Sequence, residues 1–218
     1  MSSKNVKNLL FAEFARVSKA LGSGNRLELL EFLAQGERSV DALAGLSGLS
    51  VANTSRHLQV LRQAGLITAR KEGQFVYYSV SGGGVIKLLA ALQEVGHHNL
   101  AEVMKLVNTY LTSKDSFEAV SVGELMDRMH QGLVTIVDVR PTEEYAAGHL
   151  QGAINVPLAE LENHLDKLSP EQEIVAYCRG PFCVLAFEAV AQLRKKGLKA
   201  RRLETGFPEW KVAGFPVE

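Results

Sequence analysis

Glu173-Ile174-Val175-Ala176-Tyr177-Cys178-Arg179-Gly180-Pro181-Phe182-Cys183, followed by a helix-like run from Val184 to Lys196, is the stretch from which the rest of the chain can be read. Its β-branched and aromatic start predicts a strand, Gly180 and Pro181 a tight loop, and the apolar spacing beyond Cys183 a helix. A loop between a strand and a helix start is where an anion-binding cradle forms. The first-turn N–H groups have no partners within the helix, and the helix dipole favours negative charge. A thiol placed there ionises readily, the more so beside a cation such as Arg179. Both cysteines of the 218-residue chain lie in this loop. Core cysteines seldom share a loop with glycine and proline, so the pair reads as chemistry or sensing.

Composition sets the frame around that loop. The length admits one or two domains, and 46% apolar with 22% charged residues describes a globular chain able to build a packed core. No apolar run reaches the length of a membrane helix, and the first residues lack the apolar centre of a signal peptide. The expected location is therefore the cytoplasm, with no membrane partner. In a reducing compartment two cysteines point to reactivity rather than to a disulfide framework. The net charge of zero hides an asymmetry: residues 1–114 carry 13 Lys and Arg against 8 Asp and Glu, and residues 115–218 carry 11 against 16. A +5 half beside a −5 half suggests that the first meets a polyanion.

From Leu9 to about Leu111 apolar residues recur at helical spacing. Ser39 is a plausible N-cap for a short helix over 39–44, a turn containing Gly48 follows, and Ser50 can cap a second helix, Val51 to Ala64. Two short helices joined by such a turn form a helix-turn-helix unit, whose second helix enters the major groove. Leu66 to Arg70 and Phe75 to Val80 then read as a hairpin with basic residues at its tip, a wing placed to touch phosphate. The candidate DNA contacts are Ser50, Asn53, Thr54, Ser55, Arg56, His57, Gln59 and Arg62 of the helix, with Arg70, Lys71 and Gln74 of the wing. Asn and Gln can pair with adenine, and Arg with guanine or phosphate. Thr54 also falls with Val51, Leu58 and Leu61 on the apolar face.

Arg26 to Glu31, the run Ser55-Arg56-His57-Leu58-Gln59-Val60-Leu61-Arg62-Gln63-Ala64-Gly65-Leu66, and Gly73-Gln74 followed by Tyr77-Tyr78 resemble the ArsR/SmtB family of winged-helix repressors. The resemblance implies a homodimer joined through the first and last helices, here Leu10 to Leu21 and Val85 to Val107. It also implies a palindromic double-stranded operator, with half-sites about 34–36 Å apart, and release from DNA when an inducer binds. The cysteine pair of arsenic-binding members is missing from 39–43. The acidic and histidine ligands of zinc-binding members have a counterpart only in His97-His98 with Glu94 and Glu102. Adjacent histidines point about 100° apart on a helix, so no metal site is expected.

Beyond a polar linker at 112–116 the rhythm changes. Short β-branched runs at Val134 to Asp138, Ile154 to Val156, Ile174 to Tyr177 and Ala200 to Leu203 alternate with helical segments at 121–131, 142–147, 158–168 and 184–196. This predicts an α/β domain with a mostly parallel sheet, whose ligands bind at the carboxyl ends of the strands. The fold class is thus two-domain, α+β then α/β: a winged helix-turn-helix over 1–111 and a second domain over 117–218.

Val137-Asp138-Val139-Arg140-Pro141, Glu143-Glu144-Tyr145, Gly148-His149-Leu150-Gln151-Gly152-Ala153-Ile154-Asn155-Val156-Pro157 and Tyr177-Cys178-Arg179-Gly180 together resemble a rhodanese domain. By that resemblance Cys178 is the nucleophile that becomes a persulfide, assisted by Arg179. Backbone N–H groups of residues 179–183 (the loop Gly180, Pro181, Phe182) would cradle it, and Asp138 and Arg140 would support it. Gly180 is expected to let backbone approach closely, Pro181 to stiffen the loop, and His149 to be structural. Pro181-Phe182-Cys183 depart from the Gly-, Ser- and Arg-rich loop of sulfurtransferase members, and Thr205 stands where a second glycine is frequent. Cys183 is placed to act as a second, resolving thiol on a persulfide or sulfenate, or else to begin the helix and point inward.

No cofactor is implied. Three functions stay open: a repressor that senses a small sulfane-sulfur or polysulfide effector at Cys178, a sulfurtransferase enzyme with autoregulatory DNA binding, and a repressor that chelates arsenite or another thiophile between Cys178 and Cys183.

Overall fold

The computed structural model describes residues 3–111, 118–169 and 171–218, so the polar linker at 112–116 lies outside the described residues. The chain divides into two compact units, Met1–Leu89 and Ala90–Glu218. Among the described residues, no helix is long and apolar enough to cross a membrane.

The first unit begins with α1 (Ser3–Leu21) and α2 (Gly24–Gln35), then β1 (Arg38–Ser39), α3 (Val40–Ser47), α4 (Val51–Gln63), β2 (Ile67–Glu72) and β3 (Phe75–Val80). Capping follows the chemistry of the sequence. The Ser39 hydroxyl accepts from the Ala42 N–H at 3.2 Å and the Ser50 hydroxyl from the Asn53 N–H at 3.3 Å, while Gly48 closes α3 in the left-handed region at φ 67°. Leu29, Leu30 and Leu33 of α2, Leu43 of α3, and Leu58 and Leu61 of α4 are buried in one cluster. Their spacing of three and four residues is the helical stripe that the sequence displays. One strand was not legible. Arg38 and Ser39 pair antiparallel with Tyr78 and Tyr77, giving a three-stranded sheet in the order β1-β3-β2. Two residues are too few to show a period of two. A row of large apolar side chains on α1, Leu9, Leu10, Phe11 and Phe14, stays exposed.

Helix α5 (Gly83–Asn99) spans the division between the units. The resemblance implies a last helix over 85–107; instead α5 runs through Gly96 and stops at Asn99. Leu100 is extended (φ −106°, ψ 109°), after which α6 (Ala101–Leu106) and a π-helical turn (Val107–Leu111) continue. A helical glycine costs only about 1 kcal/mol. At the true end, Asn99 Nδ2 donates to the Val95 carbonyl at 2.9 Å and His98 Nδ1 lies 3.0 Å from that of Glu94.

The second unit then places α7 (Val122–His130), β4 (Val134–Asp138), α8 (Thr142–Ala146), β5 (Ile154–Asn155), a 3-10 helix (Leu158–Lys167), β6 (Glu173–Tyr177), α9 (Val184–Lys195), β7 (Ala200–Arg202) and α10 (Phe207–Val212) in order. The four strands form a parallel sheet, β5-β4-β6-β7. Alternation along β6 feeds both faces: Ile174 and Ala176 pack with Ala186, Ala189, Val190 and Leu193 of α9, whereas Val175 and Tyr177 pack with Leu125 of α7 and Trp210 of α10. A parallel strand covered on both sides has no polar face, which is why this stretch reads as a continuous apolar run. The register sets Asp138 opposite both Tyr177 and Asn155. The ends of β4 and β6 thus finish side by side, with Cys178 one residue beyond.

Candidate functional site

Two sets of residues singled out in the sequence come together, one in each unit.

On the first unit, α4 turns Asn53, Arg56, Gln59 and Arg62 outward, with Ser55 and His57 half-buried. Thr54 is corrected. It is fully buried, and its hydroxyl donates to the Ser50 carbonyl at 3.1 Å, so it anchors the first turn of α4 rather than facing DNA. The Ser50 hydroxyl is likewise engaged as the cap. In the wing, Lys71 and Gln74 are exposed around Gly73, whose φ of 59° the turn requires of a glycine. Arg70 is engaged as well. Its Nη2 and Nη1 reach Glu37 and Glu72 at 2.6 Å each, and its guanidinium lies over the Tyr77 ring, 5.4 Å from the centroid. The hydrogen bond from Arg70 holds the Glu37 carboxyl below its ordinary range. Glu37 and Glu72 were missed as site residues. Glu72 was readable, because residues two apart on a strand share a face; Glu37 is brought in by β1.

On the second unit, a knot of buried polar groups ties the strand ends. Asp138 Oδ1 accepts from the Arg140 backbone N–H at 2.9 Å and from its Nε at 3.0 Å, Oδ2 accepts from Arg140 Nη2 at 2.6 Å, and the Tyr177 hydroxyl donates to Oδ2 at 2.5 Å. Arg140 also donates to the Gly148 carbonyl at 2.8 Å and lies 4.4 Å from the Phe207 ring centroid. All three side chains are fully buried. Burial, with the Asp138 charge beside it, pushes the Tyr177 phenol far above its ordinary pKa, so it stays a neutral donor. Buried charges persist when each is paired and hydrogen-bonded, as here. Asp138 and Arg140 thus bind one another, Tyr177 at the end of β6, and backbone.

Cys178 and Cys183 form a disulfide with Cα atoms 6.2 Å apart. Cys178 is 1% exposed and Cys183, at the N-cap of α9, is 9% exposed. The loop between them is pinned: Cys183 N–H donates to the Gly180 carbonyl at 3.1 Å, and Phe207 N–H donates to that of Cys178 at 3.1 Å. One N–H of the expected cradle, that of Cys183, is thus committed within the loop. The close backbone approach occurs at Gly206 rather than Gly180. A Cβ on Gly206 would sit 2.4 Å from the Arg179 carbonyl group and the Gly180 nitrogen, whereas one on Gly180 would meet nothing within 4 Å. Arg179 pairs with Glu144, Nη2 to Oε1 at 2.8 Å and Nε to Oε2 at 3.0 Å, and Glu144 is fully buried. Phe182 sets its ring 5.3 Å from that of His97, beside Pro181, in a cavity of about 240 Å³ that Thr205 and Glu209 also line. Among the described residues the Thr205 hydroxyl is buried without a hydrogen-bond partner. His149 is structural: its ring stacks on Tyr145 at 3.7 Å and Nδ1 lies 3.0 Å from the Tyr145 carbonyl. Glu144 of α8, Tyr177 and Gly206 complete the site; the first two stand in stretches quoted for the rhodanese resemblance, but none of the three was assigned a role there.

Comparison with known proteins agrees with both halves. Residues 23–69 match the model described as bacterial regulatory protein, arsR family, and residues 121–213 that of the rhodanese-like domain. The HTH-type transcriptional regulator Rv0324 of Mycobacterium tuberculosis is 45% identical over 212 residues, 97% of this chain and 93% of that protein. The nodulation protein NolR of Rhizobium meliloti is 40% identical over 76 residues, 35% of this chain and 62% of that protein. Among solved structures, the homodimeric winged helix-turn-helix DNA-binding domain of Mb0332 from Mycobacterium bovis is 41% identical, covering 47% of this chain and 93% of that one with a TM-score of 0.43. A regulator alike over nearly its whole length, an arsR-type helix-turn-helix and a rhodanese-like sheet lead to one assignment: this chain belongs to the ArsR family of bacterial transcriptional regulators and carries a rhodanese-like domain.

Proposed function

We propose that the chain is a dimeric repressor whose hold on operator DNA is set by reactive sulfur at Cys178. The observation that carries this reading is that both cysteines of the chain meet in one buried bridge at the carboxyl end of the sheet. The DNA-reading unit has none. Cys178 is the acceptor of sulfane sulfur and Cys183 the second thiol. Asn53, Arg56, Gln59 and Arg62 read the major groove, and Lys71 and Gln74 meet phosphate. A second copy covers the exposed apolar residues of α1 together with Leu88, Leu92 and Val95 of α5, which makes the operator palindromic.

Efficient turnover as a thiosulfate sulfurtransferase is less well supported. An anionic donor needs uncompensated positive charge at the loop, and the Arg179 guanidinium is bound by the buried Glu144. The reduced dithiol could also clamp a thiophile such as arsenite, which the same experiment separates.

The test uses a duplex enriched from a random library by the fully reduced protein. Its affinity is measured before and after treatment with inorganic polysulfide or with arsenite, for the wild type and for Cys178→Ser. The reading expects at least a tenfold change with polysulfide in the wild type, corresponding to about 1.4 kcal/mol of coupling, and none in Cys178→Ser. Equal affinities in every polysulfide arm reject it. A response to arsenite alone transfers the function to thiophile binding.

A further inference from the structure

We infer that the cysteine pair discharges the sulfur it captures: Cys183 expels the outer sulfur of a Cys178 persulfide as hydrosulfide and leaves a direct disulfide. This deepens the proposed function and rests on Cys178 as the sulfur acceptor.

Three features of the loop carry the inference. The first is reach. The two Cα atoms are 6.2 Å apart, inside the span of about 4.4–6.8 Å that a direct S–S bond bridges without moving the backbone. The inner sulfur of Cys178 is therefore within range of Cys183, and no additional sulfur atom is needed to close the bridge. The second is the position of Cys183 at the N-cap of α9, a helix of 12 residues, where the helix dipole favours an anionic sulfur nucleophile. The third is pinning. The Cys183 N–H to Gly180 carbonyl bond, the Phe207 N–H to Cys178 carbonyl bond and the Gly206 contact hold both ends of the loop. A nucleophile held against its target reacts as though at very high concentration.

The atoms and electrons balance without an outside oxidant. The Cys178 thiolate takes the outer sulfur of a low-molecular-weight hydropersulfide R–S–SH, forming Cys178–S–SH and releasing R–S⁻. The Cys183 thiolate then attacks the Cys178 Sγ. A bond forms between the two cysteine sulfurs, the bond from Cys178 Sγ to the outer sulfur breaks, and that sulfur departs with the electron pair and its proton as HS⁻. Two thiols are oxidised to one disulfide, and the sulfane sulfur is reduced to sulfide. The pair is thus a single-turnover persulfide reductase, and a dithiol reductant resets it. The signal kept by the protein is the disulfide, and the sulfur itself is returned to solution.

The experiment treats the reduced full-length protein with one equivalent of glutathione persulfide. Intact mass and trapped hydrosulfide are read against a protein-free control. In the wild type we expect a product lighter than the reduced chain by two hydrogens and one hydrosulfide released per chain. Cys183→Ser and Cys183→Ala should end heavier by one sulfur atom and release none, and Cys178→Ser should change in neither respect. Circular dichroism and binding to the selected duplex confirm that each variant is folded. A wild-type product that retains added sulfur, as a persulfide or a bridging trisulfide, overturns the inference, and so does hydrosulfide release that persists in both Cys183 variants. The proposed function fails separately, if DNA affinity is unchanged once the mass shows the disulfide.

Discussion

Two arginines, Arg70 in the wing and Arg179 in the cysteine loop, stand beside the two sites, the first held by two glutamates and the second by one. Their partners differ in what surrounds them. Arg70 is 55% exposed and its partners Glu37 and Glu72 are 34% and 64% exposed, whereas Arg179 is 14% exposed and Glu144 is fully buried. An exposed ion pair contributes little to stability, is screened by salt, and exchanges easily for another anion. A buried pair cannot lose one member without stranding the other's charge. Under the proposed function the wing arginine is therefore the one that can exchange its carboxylates for a DNA phosphate, while the loop arginine is held in a buried pair. The same residue type beside a functional group therefore has a role set by burial rather than by position in the sequence.

Removing each anchor tests that contrast, and the largest effect is expected inside. Glu144→Ala leaves Arg179 without its buried carboxylate and should lower the stability of the second unit by about 3–5 kcal/mol, read from the denaturant midpoint. A loss no larger than that of a surface substitution would abolish the distinction. Gly206→Ala inserts a Cβ against the loop backbone and should cost about 1–3 kcal/mol while slowing disulfide closure. Unchanged closure would mean that Gly206 does not pin the loop. Thr205→Val removes a buried hydroxyl that has no partner among the described residues and should raise stability by about 1 kcal/mol.

On the exposed side the expected change is in DNA binding. Glu37→Gln should leave the unfolding midpoint nearly unmoved and raise affinity for DNA at low salt, roughly two- to tenfold. The slope of log affinity against log salt should also steepen by about one phosphate contact. If affinity is unchanged while Arg70→Ala still weakens binding, Arg70 is already free of Glu37 when it meets DNA.

Much of both sites was legible because local chemistry writes itself into spacing. Ser39 and Ser50 cap helices, Gly48 and Gly73 take left-handed turns, and the leucine stripe of α2 and α4 announces a buried face. The alternating short apolar runs from Val134 onward gave the parallel sheet, and Cys178 at the end of β6 followed from that. What escaped notice depends on partners far along the chain. The two-residue strand β1 exists only because β3 lies beside it, and Glu37 meets Arg70 across that pairing. Thr54 looked equally suited to the groove and to the core, because a threonine at the first turn of a helix can face either way until the neighbouring helices are packed. The break at Asn99 within the run 85–107 was not legible, since helical propensity is weak and it is at His98 and Asn99 that side chains bond back to the carbonyls of Glu94 and Val95.

By itself, the sequence determined that the chain has a winged helix-turn-helix followed by an α/β domain with a parallel sheet, and that both its cysteines are confined to one loop; periodicity, capping and cysteine placement are local properties. Only the tertiary structure decided what the charged and small residues around that loop do. Arg179 is bound by Glu144, Asp138 and Arg140 are spent on each other and on Tyr177, and Gly206 rather than Gly180 makes room for the loop. The reason is physical: the strength of an ion pair and the cost of a side chain depend on burial and on neighbours distant in sequence, which spacing along one strand or helix does not encode.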